Sequence, residues 1–382
     1  MSTATALPAQ ERNEKRLPRR DWILLPLIAV LTIVCIVAVS EVASRFIWPD
    51  HETDPCYVKS GRFGAHFRPN CQSRVKAAEG PWVVNQYNAC GYRSTESCGP
   101  KPPDSIRVAV LGSSSSYGYL VPYNSSYYVV AERALSNACR RRVEFQNLGV
   151  LALPLHDVYL RMGEALALKP DVLLLSLDAY DVAKFLQFDP SVTSGGEPQL
   201  KVAEAQKKDW LRYHVIQPIK SSRAVMMLQH YMYQNPSTYA NLYLLEGDNA
   251  NYLRPPFTEN WQKRLSNVDL MLRSMSKQAS AAGVPMAIIL MPSAAEVALE
   301  NTPARPGVNP MALDTAVARI ASRYDVRVIN PLPDFAGQHD VMKMFYVVDG
   351  HTGAAGQQII GNTVVKALLS DRDSAFAACR LK

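Results

Sequence analysis

The sequence predicts an α/β chain whose parallel sheet is covered by helices on both faces, set behind a single apolar helix. Three observations predict it. From residue 106 to residue 369 short β-branched apolar runs alternate with amphipathic stretches. Most of the runs are continuously apolar rather than apolar at every second position, which is how strands buried on both faces read, and joining such strands through helices makes them parallel. Near the N-terminus, Trp22 to Ser40 is a stretch of 19 residues without a charge.

Residues 1–21 form a basic tail, in which Arg12, Lys15, Arg16, Arg19 and Arg20 face Glu11 and Glu14. Residues 1–20 carry +3 of the net charge of +7, and the remaining +4 is spread over the other 362 residues, with Arg140, Arg141 and Arg142 as the one short cluster. No basic stripe interleaved with aromatics exists, so nucleic-acid binding is not expected. Residues 22–40 reach about 28 Å as a helix, close to the hydrocarbon thickness of a bilayer. The competing reading is a cleavable signal peptide with Ala38-Val39-Ser40 as its small-residue site, but its apolar region runs about 7–15 residues and this run is longer. Pro26 falls in the first turns, where it is tolerated. With the basic cluster before the helix and Glu41, Arg45 and Asp50 after it, the positive-inside bias leaves the tail in the cytoplasm. The chain is therefore expected in the cytoplasmic membrane as a single-pass protein, with everything after residue 41 periplasmic or extracellular.

Cysteine usage fits an oxidising compartment. Apart from Cys35 in the apolar helix, six remain, namely Cys56, Cys71, Cys90, Cys98, Cys139 and Cys379. Four lie within residues 56–98, which predicts local disulfides there, with Cys139 and Cys379 as a long-range pair. No C-x₂-C spacing or paired-His motif supports a metal site.

Residues 41–104, rich in Pro, Gly, Cys and Asn without sustained periodicity, read as a Cys-rich stalk and lead-in. Residues 105–382 carry the alternation. Ile106–Leu111, Val143–Asn147, Val172–Leu177, Pro285–Met291 and Val326–Ile329 read as strands. Ser126–Ala138, Asp157–Leu168, Trp261–Ala282, Ala312–Arg323 and Gly353–Leu369 read as helices. Residues 186–259 interrupt the pattern with a helical segment, Asp209 to Gln234, and with Tyr213, Tyr231, Tyr233, Tyr239, Tyr243 and Tyr252. This insertion follows the C-terminal end of a strand, where α/β sheets bind ligands, so it is either a lid or substrate platform or a small core of its own.

The chemistry is sought in the loops at those strand ends. The first is Leu111-Gly112-Ser113-Ser114-Ser115-Ser116-Tyr117-Gly118, a sharp turn between strand and helix that exposes a Ser hydroxyl and aims backbone N–H groups at an oxyanion. It lacks the Lys of a phosphate-binding loop and the G-x-G-x-x-G spacing; an ordinary Ser-rich loop is the plain alternative. A serine nucleophile needs a base and the base needs an orienting carboxylate. Asp349-Gly350-His351, before the last helix, offers both. The other histidines fall in the lead-in (His51, His66), at a helix start (His156), in the insertion (His214, His230) and in a polar loop (His339).

These blocks resemble those of the SGNH (GDSL-like) hydrolases, over about Asn88 to Leu369. Gly112-Ser113-Ser114-x-x-x-Gly118 is similar to the family's first block, with Ser113 where Asp is usual. Asp349 and His351 match its last block, followed by Gly353-Ala354-Ala355-Gly356. Asn88-Ala89-Cys90-Gly91-Tyr92-Arg93 is similar to an N-x-x-G-x-R signature of membrane-anchored bacterial members. Asn147 to Ala152 aligns with the second block, with Ala152 in place of the oxyanion Gly, and Ser176 to Asp181 with the third, where Gly-x-Asn becomes Asp178-x-Tyr180. The resemblance implies a flavodoxin-like three-layer α/β/α fold without a cofactor. It implies Ser114 as nucleophile, His351 as base and Asp349 as its orienting acid. Oxyanion or substrate contacts would come from Gly112, Ala152 and Tyr180, while Asp178 and Asp181 are equally read as helix-capping residues. The expected activity is that of an exported serine esterase on acyl esters, polysaccharide-linked ones among them, or of an acyltransferase using the same acyl-enzyme. A degenerate member that binds a glycan or envelope partner is the alternative.

Overall fold

The computed structural model describes residues 18, 20–60, 64–188, 221–370 and 375–379. Helix α1, Asp21–Ile47, is 27 residues long, about 40 Å at the α-helical rise. It contains the charge-free run and continues past Ser40. Its most apolar window has a mean hydropathy of 2.9 and none of it is buried against the rest of the chain, so α1 is long and apolar enough to cross a membrane.

Two antiparallel pairs follow: β1 (Tyr57–Ser60) with β2 (Gly64–Phe67), and β3 (Gln72–Val75) with β4 (Val83–Gln86). Cys56–Cys71 and Cys90–Cys98 are the local disulfides. The stalk reading of residues 41–104 is corrected by this packing. Residues 41–47 belong to α1, and among the described residues that follow, Phe67, Tyr87, Tyr92 and Arg93 are buried against the body. The Phe67 ring stacks on Tyr87 at 4.3 Å and on Tyr117 at 5.1 Å. Strands of four residues carry too few alternations to register as a pattern.

The central sheet has five strands: β5 (Ile106–Leu111), β6 (Val143–Asn147), β7 (Val172–Asp178), β8 (Met286–Met291) and β9 (Arg327–Ile329). Their order is β6-β5-β7-β8-β9 and every pairing is parallel. Counted within the sheet this is 2-1-3-4-5, the flavodoxin-like order, whose switch point lies between β5 and β7. All residues of β5, β6 and β8 are buried, including the charged Arg107 of β5 and Glu144 of β6, which pair with each other across the two strands.

Helices α3 (Tyr127–Cys139) and α12 (Ala354–Ser370) pack together as one layer. The long α9 (Glu259–Ala281) packs with α5 (Met162–Ala167), α6 (Ala179–Lys184) and α11 (Ala312–Ser322) as the other. The helix expected over 157–168 is two helices, α4 (Leu155–Leu160) and α5, broken at Arg161. The Arg161 guanidinium turns inward there to the Leu148 carbonyl at 2.5 Å and to Glu164 at 2.8 Å. Cys139–Cys379 ties the end of α3 to the C-terminal segment.

Part of the helical segment read from Asp209 to Gln234, with Tyr213 and His214, lies outside the described residues. Within them the insertion holds α7 (Arg223–Tyr233), α8 (Pro236–Tyr243) and a 3₁₀ turn, Gly247–Leu253. Tyr239 stacks on Tyr243, and Tyr252 packs on Trp261, both of them buried in the main hydrophobic core, against which the partly buried Tyr233, Tyr239 and Tyr243 pack; Tyr231 stands 66% exposed. Glu41, near the end of α1, caps α7 by accepting the Ser222 hydroxyl at 2.7 Å and the N–H groups of Arg223 and Ala224 at 3.1 Å each. A short α10 (Ala294–Glu300) follows β8 behind a capping box of Ser293 and Glu296.

Candidate active site

At the end of β5 the chain turns through Gly112 and Ser113 into a four-residue helix, α2 (Ser114–Tyr117). Gly112 has φ +154°, and a Cβ there would stand 2.6 Å from both Ser116 Cβ and Ser176 Oγ. Gly112 therefore has a steric reason to be glycine, which is a different role from the oxyanion contact expected of it. The far side of the turn is gripped by Arg93. Its Nη1 donates to the carbonyls of Tyr117 and Gly118 at 2.9 and 2.8 Å, its Nη2 to that of Val121 at 2.6 Å, and the guanidinium lies 4.7 Å from the Tyr117 ring centre. The Tyr117 hydroxyl meets that of Tyr87 at 2.6 Å, and Tyr87 in turn donates to Asp54 at 2.7 Å. The Asn88–Arg93 signature thus reaches the serine turn through its arginine. Asn88 Oδ1 shapes that segment by accepting from the Cys90 and Tyr92 N–H groups at 3.0 and 3.1 Å.

The structure brings Ser114, His351 and Asp349 together. His351 Nε2 lies 2.7 Å from Ser114 Oγ, and Nδ1 lies 2.5 Å from Asp349 Oδ1. The same Asp349 oxygen accepts the His351 backbone N–H at 3.3 Å, and the Tyr119 ring meets the imidazole edge-on at 5.1 Å. Desolvation disfavours the imidazolium, yet the charge and hydrogen bond of Asp349 outweigh it and hold the His351 pKa above the usual 6.5. An imidazole oriented on one nitrogen and facing a hydroxyl with the other can take that hydroxyl's proton.

The third-block carboxylates are engaged elsewhere. Asp178 is the N-cap of α6, accepting the Asp181 N–H at 2.7 Å, and it also accepts a short hydrogen bond from Ser115 Oγ. Asp181 is buried and accepts Ser113 Oγ at 2.9 Å. Burial, reinforced by the neighbouring Asp178, pushes the Asp181 carboxyl well above the ordinary range. The capping expectation holds for Asp178, while the serine at 113 finds its partner in Asp181.

The remaining expected residues divide. Ala152 is exposed in a turn after β6 with φ +53°, the left-handed conformation that favours glycine. Val150 N–H donates to the Gly112 carbonyl at 3.3 Å, which holds this segment against the serine turn. Among the described residues no protein acceptor takes up the backbone N–H of Ser114 or of Ala152. Tyr180 is 66% exposed with the Lys184 ammonium 5.0 Å from its ring centre, and its hydroxyl bonds neither Ser114 nor His351. The structure thus does not bring Tyr180 to the other three residues.

Two residues at the site carried no signal in the sequence. Tyr119 is one ordinary tyrosine among 18, and Glu79 sits in the irregular Ala-Ala-Glu-Gly stretch between β3 and β4. Two open clefts of about 350 and 620 Å³ lie at the opposite end of the sheet, around Pro170, Pro285 and Arg327. Among the described residues no group of three or more His, Cys, Asp or Glu side chains is placed to hold a metal ion.

No family model and no curated protein matches the chain. Solved structures that it resembles include lipases and acylhydrolases of the G-D-S-L kind. A lipase/acylhydrolase from Enterococcus faecalis is 12% identical, with 69% of this chain and 96% of that one covered at a TM-score of 0.39. A GDSL-like lipase from Bacteroides thetaiotaomicron is 11% identical, covering 68% and 86% at 0.33. A member of the lipolytic G-D-S-L family from Veillonella parvula is 12% identical, covering 68% and 97% at 0.33. At that level of similarity the fold stands on the strand order given above and the site on its own distances.

Proposed function

We propose that the chain is a serine esterase of the SGNH type, anchored through α1 in the cytoplasmic membrane with residues after 41 on the outer side. The observation that carries this reading is the pair of contacts on His351, to Ser114 Oγ at 2.7 Å and to Asp349 at 2.5 Å. In the proposed reaction Ser114 Oγ attacks an ester carbonyl while His351 Nε2 takes its proton. The tetrahedral oxyanion is met by the N–H groups of Ser114 and Ala152, and His351 returns the proton to the leaving alcohol. Water then repeats the sequence on the acyl-enzyme and frees the acid.

Three disulfides support the outward placement of the body, since they persist in oxidising compartments. A glycan-linked ester is the substrate class suggested by the family resemblance, and a sugar hydroxyl in place of water would make the same acyl-enzyme a transferase. A pure binding protein has no use for a hydroxyl held within hydrogen-bond reach of an oriented imidazole, and of the insertion tyrosines that would suit a sugar platform Tyr252 is buried and Tyr233, Tyr239 and Tyr243 pack partly buried against the core.

The test is covalent labelling. The full chain in detergent is treated with a fluorophosphonate, and the labelled peptide is sequenced by mass spectrometry. Labelling at Ser114 that vanishes in Ser114→Ala and falls steeply in His351→Ala is the expected result. A folded chain that does not label overturns the reading.

A further inference from the structure

Glu79 comes from the lead-in, not from the α/β body, and its side chain is 2% exposed. Its Oε2 accepts the backbone N–H groups of Val348 and Asp349, both at 2.9 Å. Its Oε1 meets His230 Nδ1 at 2.7 Å. On the other side of that ring, Nε2 meets Gln234 Nε2 at 3.0 Å, and the ring packs edge-on against Trp48, just past the end of α1, at 4.9 Å. Burial raises the Glu79 pKa, and the hydrogen bonds from His230 and the two amides oppose that rise.

The loop that carries Asp349 and His351 has turns of its own. Tyr346 N–H donates to the His351 carbonyl at 2.8 Å, Gly350 N–H to that of Tyr346 at 2.6 Å, and Gly353 N–H to that of Met344 at 2.7 Å. These bonds shape the loop without fixing where it sits. Tyr346 OH, donating to the Leu120 carbonyl at 3.0 Å, ties it to the segment after the serine turn. Glu79 instead grips the main chain at Asp349, the residue whose carboxylate sets the imidazole. A carboxylate placed to accept two consecutive N–H groups fixes both the position and the orientation of that peptide. A shift of about 1 Å in a reacting group can lower a rate about 10²-fold.

We propose that Glu79 is a positioning residue for the Asp349–His351 pair, held in turn by His230 of the insertion. The proposal rests on the reading of Ser114, His351 and Asp349 as a hydrolase site. It assigns the insertion a purpose other than a lid: α7 supplies the side chain that fixes the far oxygen of Glu79. A merely structural glutamate would affect folding and leave the chemistry of the folded fraction alone. A positioning glutamate acts on kcat with KM nearly unchanged, and its amide isostere restores the effect. In Glu79→Gln the side chain still offers one oxygen to both N–H groups and an NH₂ to His230 Nδ1, with the ring proton moving to Nε2 and the Gln234 amide turning its oxygen to accept it.

The experiment compares the full chain in detergent with Glu79→Ala and Glu79→Gln in three measurements. These are the fluorophosphonate labelling rate at Ser114, kcat and KM on p-nitrophenyl acetate, and hydrogen exchange at Val348 and Asp349. Glu79→Ala is expected to slow labelling and lower kcat at least tenfold, to leave KM within twofold, and to speed exchange at both amides. Glu79→Gln is expected within threefold of the parent chain in rate, with exchange still slow. If the parent labels and Glu79→Ala labels equally fast, the positioning role is overturned while the hydrolase reading stands. Equal losses in both variants also overturn it, because acceptance of the two N–H groups is then not what matters. If the parent neither labels nor turns over, the hydrolase reading fails and the catalytic purpose of Glu79 fails with it, whatever exchange reports about the loop.

Discussion

His351 Nε2 stands 2.7 Å from Ser114 Oγ across a sequence separation of 237 residues. The contact requires the turn after the first strand of the sheet and the loop before the last helix to meet at one end of the molecule. The 2-1-3-4-5 order does this: α12, which follows the histidine loop, packs on α3, which follows the serine turn. Gln357 links the two directly, accepting Tyr127 N–H at 2.9 Å and donating to Thr352 Oγ1 at 2.7 Å.

The base must be neutral to accept the serine proton, so activity is lost as pH falls through the His351 pKa. Because Asp349 raises that pKa above 6.5, the acid limb of kcat/KM is expected above pH 6.5. Asp349→Asn should lower the limb and reduce kcat by about 10³–10⁴-fold, as loss of the orienting carboxylate does in serine hydrolases. The check is a pH–rate profile of both chains. Folding has the opposite dependence: a raised histidine pKa adds stability below pH 6.5 that disappears as pH rises through the folded value.

Tyr180 and Ala152 separate two views of the oxyanion hole. With its hydroxyl away from Ser114 and His351, Tyr180→Phe is expected to change kcat less than twofold; a tenfold loss would put the hydroxyl back in the reaction. Ala152 holds φ +53°, a conformation that costs an L-residue about 1–2 kcal/mol. Ala152→Gly is therefore expected to keep activity, since the N–H remains, and to leave stability equal or raise it by about 1 kcal/mol in urea unfolding.

Arg93 is fully buried, with bonds to three carbonyls and no carboxylate partner among the described residues. Arg93→Met keeps much of the volume and leaves three carbonyls short of a donor. A loss of about 3–5 kcal/mol is expected, read as a lower urea midpoint, together with slower labelling of Ser114. Unchanged stability would show that solvent replaces the guanidinium and that the lead-in is not what holds the serine turn.

The sheet was legible because most of its strands are apolar runs bounded by turn residues, and Ile106–Leu111 and the more polar Val143–Asn147, read from the alternation with helices, match to the residue. Ser114, Asp349 and His351 were legible because the chemistry restricts residue type and the topology restricts place. Other features depend on contacts between segments, which leave no local pattern. Nothing near Ala77-Ala78-Glu79 shows that this glutamate is buried against a loop 270 residues away, and four-residue strands do not alternate long enough to be counted. The break at Arg161 was hidden for a related reason, since an arginine that turns inward to a carbonyl looks in sequence like any exposed helical arginine.

Asp181 provides a test of electrostatics beside the serine turn that does not touch the proposed chemistry. Its carboxyl is pushed well above the usual carboxylate value, chiefly by burial. Between that ordinary value and the raised one the folded chain holds a proton that the unfolded chain has released, so stability falls as pH rises through this window. Asp181→Asn removes the titration while its amide oxygen still accepts the Ser113 hydroxyl. The expected outcome is a variant at least as stable as the parent at pH 8, with a flatter dependence of urea midpoint on pH and with Ser114 labelling preserved. A variant that loses stability at pH 8 would mean that Asp181 is ionised in the folded chain and that its charge, rather than its neutral form, holds Ser113 in place.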